Sequence, residues 1–277
     1  MTFGTIRKFD LEGDLAVITG GAGFLGKKHA EAILDGNGRV VLLDINDKAI
    51  GKALQYFPFS YPRKVWGYTL DITKEKEVTR VISRIIREIG SISILINNAA
   101  NNPVVEGGGK NLSRLENMPI EAWNKDFAVS VTGALIMSRV IGQHMARNKR
   151  GVILNIASDL AIIAPDQRIY QKEGDKPGEH QVKPVSYSVI KHALIGLTKY
   201  LATYWADQGV RVNAISPAGI YNTGLEDDFV QRLTNLIPMG RMANGDEYKA
   251  AILFLCSNAS AYMTGANLVI DGGRTCW

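Results

Sequence analysis

Short, almost continuously apolar runs alternate along this chain with longer stretches of helical periodicity. That alternation limits the fold more than any other feature. The runs cover 15–19, 39–44, 65–71, 92–98, 151–158, 211–217 and 267–273. Their length, and the lack of polar residues at every second position, read as strands covered on both faces. Helical patterns lie near 24–36, 47–56, 74–89, 119–148, 186–208 and 245–257. Strands that alternate with helices build βαβ units and a parallel sheet, so the expectation is an α/β fold. No linker or shift in composition divides the 277 residues, and one domain over 1–277 is expected.

Composition narrows the function classes. No apolar run approaches the roughly 20 residues that span a bilayer. The opening "MTFGTIRKFDLEGD" has no apolar signal core, so a soluble cytoplasmic protein without membrane contacts is expected. Two cysteines, Cys256 and Cys276, suit a reducing compartment rather than a disulfide framework. His29, His144, His180 and His192 are scattered, so no metal site is expected. The net charge of +5 comes from cations interleaved with anions, as in "DITKEKEVTRVISRIIREIG". Such mixing reads as solvated helix faces and argues against nucleic acid as partner. A small-molecule substrate is expected, and a mildly basic surface favours an anionic substrate or cofactor.

The stretch "ITGGAGFLG" (18–26) stands between the first strand and the first helix and holds Gly20, Gly21, Gly23 and Gly26. A glycine turn there lets phosphates approach backbone amides at a helix N-terminus. Asp44 ends the second strand 18 residues beyond Gly26, near the ~20-residue spacing of dinucleotide sites. A carboxylate there accepts hydrogen bonds from ribose hydroxyls and repels a 2′-phosphate, so NAD is expected over NADP. Asp71 and Ile72, after the third strand, suit an adenine. "NNAAN", with Asn98, ends the fourth, and its small Ala99 and Ala100 let a ribose come close.

"YSVIK" puts Tyr187 and Lys191 on one helix face. An ammonium beside a phenol favours the phenolate and makes an acid–base group for an alcohol or carbonyl. Ser158, at the end of the fifth strand, adds a hydroxyl for the reacting oxygen.

Taken in order, "ITGGAGFLG", "LDI", "LDIT", "ILINNAA", "VILNIAS", "YSVIKHALIGLTKYLA", "GVRVNAISPAGIYNT" and "YMTGANLVIDGG" resemble the classical short-chain dehydrogenase/reductase family over nearly the whole chain. The resemblance implies a single-domain, Rossmann-like doubly wound parallel sheet of seven strands flanked by helices. It implies Tyr187 as general acid/base, Lys191 on the nicotinamide ribose, and Ser158 orienting substrate. Cofactor contacts would fall on Gly20, Gly23, Phe24, Leu25, Gly26, Asp44, Asp71, Ile72, Asn98, Ala99, Ala100, Tyr187, Lys191, Pro217 and Ile220. A homodimer or homotetramer through 119–148 and 186–208 is implied as well.

Three departures stand out. Phe24 occupies the position of the family's middle glycine, and Gly23 carries that glycine instead, a spacing like that of the extended, epimerase-like branch. Ser130 stands where the family commonly has an asparagine that positions a relay water. Either its hydroxyl holds that water or the relay differs. Ser158 and Tyr187 lie 29 positions apart, more than is usual, and the excess is the segment 165–184. That segment and the ending "VIDGGRTCW" resemble members found with flagellin-modification and nonulosonic-acid gene sets, which act on sugars.

The expectation is hydride transfer between NAD(H) and a hydroxyl or keto group of a sugar or sugar phosphate. The alternatives are a keto reductase of acyl chains, 3-oxoacyl carrier-protein reductase included, and a dinucleotide-binding regulator without turnover. Two long polar segments, 101–119 and 165–184, interrupt the rhythm. The second is either a solvated flap or a partial lid whose cations, Arg168 above all, would hold a substrate anion.

Overall fold

The computed structural model describes residues 4–57, 61, 64–101, 111–176 and 178–277. Seven strands among these form one sheet: β1 (Leu15–Thr19), β2 (Arg39–Asp44), β3 (Val65–Thr69), β4 (Ile94–Asn97), β5 (Gly151–Ile156), β6 (Val210–Pro217) and β7 (Asn267–Ile270). Their spatial order is β3-β2-β1-β4-β5-β6-β7, and every pairing is parallel. The order reverses between β1 and β4, which opens a crevice at the carboxyl ends of the strands.

The described residues form eight α-helices: α1 (Phe24–Asp35), α2 (Asp47–Tyr56), α3 (Glu75–Glu88), α4 (Ile120–Phe127), α5 (Ala134–Arg147), α6 (Val185–Tyr204), α7 (Asp227–Thr234) and α8 (Lys249–Cys256). Successive strand residues point to opposite faces. Leu15 and Val17 join Val78, Ile82, Ile141 and Met145 on one side, while Ala16 and Ile18 join Ile33, Ile50, Ile252 and Leu255 on the other. Each such valine, leucine, isoleucine or methionine, taken fully from water, contributes about 1.5–3 kcal/mol. Two apolar layers with the sheet between them explain why the strands lack polar alternation.

The elements differ from the sequence reading mainly at their ends. β3 stops at Thr69, because the Asp71 carboxylate accepts the Thr73 N–H and hydroxyl and bends the chain into a turn. The pattern at 119–148 is not a uniform α-helix. A wide π turn, Ala128–Gly133, joins α4 to α5 and contains Ser130. Such turns are rare and recur at functional sites. α6 ends at Tyr204, short of 208, and α8 starts only at Lys249. α7 was not expected: its eight residues, "DDFVQRLT", carry too few apolar positions to signal a helix by periodicity.

Candidate active site

The glycine turn is built for close approach. Gly20 takes the left-handed region, φ +60°, and a Cβ on Gly26 would run into the Gly20 carbonyl oxygen. Gly23 precedes α1, and no side chain caps the helix start, so its first-turn amides are open to an anion. The Asp44 carboxylate faces this turn: Oδ2 accepts the Ala22 N–H at 3.3 Å and Oδ1 the Asn46 N–H at 3.1 Å. Thr19 Oγ1 accepts the Asn98 and Ala99 N–H groups, both at 3.0 Å, and Asn98 Nδ2 donates to the Thr19 and Gly20 carbonyls. The end of β4 is thereby fastened to the glycine turn. Asp71 uses one oxygen in its own turn, and Ile72 is buried against Gly133. Glycine cradle, open helix start and facing carboxylate together fit a dinucleotide.

Beside the turn lies a cavity of about 390 Å³ at the carboxyl ends of β4, β5 and β6. Ser158, Tyr187 and Lys191 border it, as do Leu25, Asn98, Ala100, Pro217 and Ile220. The remaining expected residues, Gly20, Gly23, Phe24, Gly26, Asp44, Asp71, Ile72 and Ala99, do not border this cavity. Ser130 is buried within its π turn, and its hydroxyl has no partner among the described residues. A larger hollow of about 590 Å³ opens at the amino ends of the strands, between Asp14, Arg150 and Arg211, far from this constellation. Size does not choose between the two; convergent polar groups do.

Lys191 is buried and donates to the Ile156 carbonyl at 2.8 Å, with its ammonium 5.6 Å from the Tyr187 ring centre. Burial, with the Lys183 charge adding to it, pushes its pKa down to about 8. Burial likewise raises the Tyr187 phenol, outweighing a hydrogen bond with Ser158 that lowers it. This corrects the sequence expectation of a depressed phenol. The Lys191 ammonium spends its bond on Ile156, and desolvation of the phenolate dominates. Ser158 Oγ donates to Asp159 Oδ1 at 2.7 Å and accepts the Leu160 N–H.

Several site residues gave no usable signal in the sequence. Asp159 Oδ2 accepts from Arg274 Nη1 at 2.7 Å, and both side chains are buried, so the chain's end reaches back to the serine's neighbour. Ser186 Oγ donates to the buried Asp126 Oδ2 at 2.5 Å and so ties the first turn of α6, next to Tyr187, to α4. A buried chain, Ser138–Asn97–Asn155–Thr198, links α5, β4, β5 and α6 through bonds of 2.8–3.0 Å. These contacts join positions far apart in sequence.

From the segment 165–184, Ile169, Tyr170 and Lys183 border the cavity. Ile169 packs with Leu233, Ile237 and Met242, and Tyr170 lies 5.6 Å from Phe229 of α7. Gln167 donates to the Lys183 carbonyl at 3.3 Å and accepts its N–H at 2.8 Å, which closes the segment on itself. Asn111 donates to the Glu179 and His180 carbonyls, so residues from both long polar segments meet. The rest of the first segment, 102–110, lies outside the described residues. Arg168 does not face the cavity, contrary to expectation. It is exposed and paired with Asp166 at 2.7 Å. Lys183 faces it instead, its ammonium 3.8 Å from the Tyr187 ring centre.

Fold and site thus define a dinucleotide-type α/β protein with acid–base groups at its strand ends. Comparison with known families agrees. Residues 14–170 match the family described as "short chain dehydrogenase", and residues 177–275 match one described as "Enoyl-(Acyl carrier protein) reductase". An NAD-dependent glycerol dehydrogenase of Listeria innocua is 33% identical over 99% of both chains. A D-threitol dehydrogenase of Mycolicibacterium smegmatis is 31% identical over 96% of this chain and 95% of its own. A short chain dehydrogenase from Leptospira borgpetersenii, solved with bound NAD+, is 30% identical with a TM-score of 0.81, covering 97% of this chain and 95% of that one. The chain belongs to the short-chain dehydrogenase family and is an oxidoreductase acting on CH–OH groups with a nicotinamide dinucleotide. Among the described residues no helix is long and apolar enough to cross a membrane, and no group of acidic, histidine and cysteine side chains is placed to hold a metal.

Proposed function

We propose that the protein interconverts a secondary alcohol and a ketone on a small polyol or sugar, with NAD(H). The observation that carries this reading is the convergence of Ser158, Tyr187 and Lys191 on one cavity beside the glycine turn. The turn, the start of α1 and Asp44 would hold the dinucleotide, with Pro217 and Ile220 beside its nicotinamide end. When bound, that group takes or gives the hydride. Tyr187 Oη takes the hydroxyl proton of the alcohol in oxidation and returns it to the carbonyl oxygen in reduction. The Ser158 hydroxyl orients the same oxygen. Lys191, 5.6 Å from the Tyr187 ring centre, would bond the cofactor ribose, and the Ser130 hydroxyl, without a partner among the described residues, would hold a relay water.

The polyol reading is supported by the glycerol and threitol dehydrogenases among the relatives. The narrower resemblance to sugar-modifying members of nonulosonic-acid gene sets points the same way. NAD over NADP rests on the Asp44 carboxylate. The two cysteines, free in the structure, suit a reducing cytoplasm. Leu135, Val189, Tyr200 and Tyr204 stand exposed on α5 and α6, and a homodimer or homotetramer would cover them. The test of function is turnover of a polyol and sugar panel with NAD+ and NADP+.

A keto reductase of acyl chains is the second reading. Ile169, Leu225, Phe229 and Leu233 give the cavity an apolar wall that suits such a chain. An acyl thioester in the same panel separates the two: turnover of it alone would replace the polyol reading.

A further inference from the structure

We propose that the substrate cavity contains an anion subsite, formed by Lys183 Nζ and the Arg274 guanidinium, and that the substrate is a polyol or sugar bearing a carboxylate or phosphate. This deepens the polyol reading and rests on it.

The charges around the cavity do not balance. Lys183, Lys191 and Arg274 border it, and Asp159 is the one carboxylate among the lining residues. Asp159 is already committed: Oδ1 accepts from Ser158 and the Leu160 N–H, and Oδ2 from Arg274 Nη1. Lys191 is committed too, to the Ile156 carbonyl at 2.8 Å. Two donors remain. Arg274 is only 6% exposed, and its Nε has no partner among the described residues. A buried guanidinium N–H without an acceptor is unfavourable, and a carboxylate or phosphate relieves it with a charge-assisted bond. Lys183 has no carboxylate within ion-pair distance among the described residues and rests on the face of Tyr187. Arg168 and Lys172, by contrast, are neutralised by Asp166 and Glu226 at 2.7 Å each. Of the segment's described cations Lys183 alone borders the cavity, and it has no counter-ion among the described residues.

Lys183 is also held in place. Gln167 grips its backbone N–H and carbonyl, and Val182 donates to Ser113 Oγ at 3.0 Å. A lysine fixed at its backbone and aimed over the reacting phenol sits where a charged end of a short substrate would lie. The carbinol of that substrate would then meet Ser158 and Tyr187. Arg274 also borders the cavity, on the turn Arg274–Cys276, and Asp159 fixes it there.

The experiment compares matched substrates with NAD+: xylitol, xylonate and xylitol phosphate. The expected result is a higher kcat/KM for an anionic member than for xylitol, with xylonate and xylitol phosphate distinguishing carboxylate from phosphate. In Lys183→Met the anion-to-neutral ratio should fall about 10–100-fold, the loss of one charge-assisted bond, and Lys183→Arg should restore it. A ratio unchanged in Lys183→Met overturns the proposal. Arg274→Met would strand Asp159, so its contribution is read from Asp159→Asn/Arg274→Met, which removes both charges. Binding gives an independent readout. Inorganic phosphate and malonate, titrated into the enzyme–NADH complex, should bind the wild type and bind Lys183→Met more weakly. Equal affinity for the two proteins overturns the subsite. If no polyol or sugar is turned over but these anions bind in a Lys183-dependent way, the polyol reading fails and the subsite stands.

Discussion

At Tyr187 burial and a hydrogen bond pull in opposite directions. Burial holds its phenol above the usual tyrosine value, so it is protonated at neutral pH and ready to donate to a carbonyl. Oxidation needs the phenolate. The oxidation rate should therefore climb as pH rises above neutrality, and reduction should fall at the alkaline end. Initial rates in both directions across that range check this, and an oxidation rate that declines with pH would contradict it. Tyr187→Phe should lower turnover about 10²–10⁴-fold, the usual loss of a general acid or base. NADH titration should show nearly wild-type affinity, because the phenol is not the main anchor of the dinucleotide. Asp44 is the second decisive residue. Asp44→Arg should shift preference from NAD to NADP, since a guanidinium holds the 2′-phosphate that a carboxylate repels. Tighter binding of NADP than of NAD to the unaltered protein would refute that role.

Among the elements, α6 carries Tyr187 and Lys191, and its place is set by polar contacts as well as packing. Asn155 connects β4 and α6 by donating to Thr198 at 2.8 Å and accepting from Asn97 at 2.8 Å. Asn155→Ala should cost about 1–3 kcal/mol for each buried group left unpaired, read from urea unfolding midpoints. α1 carries His29, fully buried, and burial pushes its pKa down to about 4 from an ordinary value of 6.5. The unfolded chain then binds a proton that the folded protein refuses. Stability is present above the ordinary value and is lost as pH falls from 6.5 towards 4, by up to about 3 kcal/mol. His29→Gln should flatten that part of the curve relative to the wild type, and a parallel pair of curves would exclude His29 as the cause. Elements with a strong local signal were legible in the sequence. The glycine turn, the seven strands and the Tyr187–Lys191 pair all follow from local pattern. α7 was not legible, because eight residues packed by tertiary contacts need no clear period.

At the scale of the whole molecule, the sheet order brings distant ends of the chain to one crevice, and there the sequence says least. Arg274 and Asp159 are 115 residues apart, and nothing local marks either as the other's partner. The choice of Arg168 as the inward cation failed for a local reason: Asp166, two residues earlier, takes it through backbone and side chain at once. A list of charges in a segment does not say which of them face in. That depends on Gln167 closing the segment and on α7 beneath it. The assembly reading belongs to this scale too. Sedimentation of the purified protein should give a dimer or tetramer, and Tyr200→Glu/Tyr204→Glu should shift it towards the monomer.

The central claim is that one cavity, bordered by Ser158, Tyr187 and Lys191, transfers hydride between NAD(H) and a small polyol or sugar. Its most direct test follows NAD+ reduction by absorbance over neutral polyols, aldonates and sugar phosphates, with wild type and Tyr187→Phe side by side. The account predicts turnover of at least one of these by the wild type with NAD+, and a loss of about 10²–10⁴-fold in the variant at unchanged NADH affinity. Wild-type turnover that Tyr187→Phe retains, or NADH binding with no turnover of any member of the panel, would contradict it.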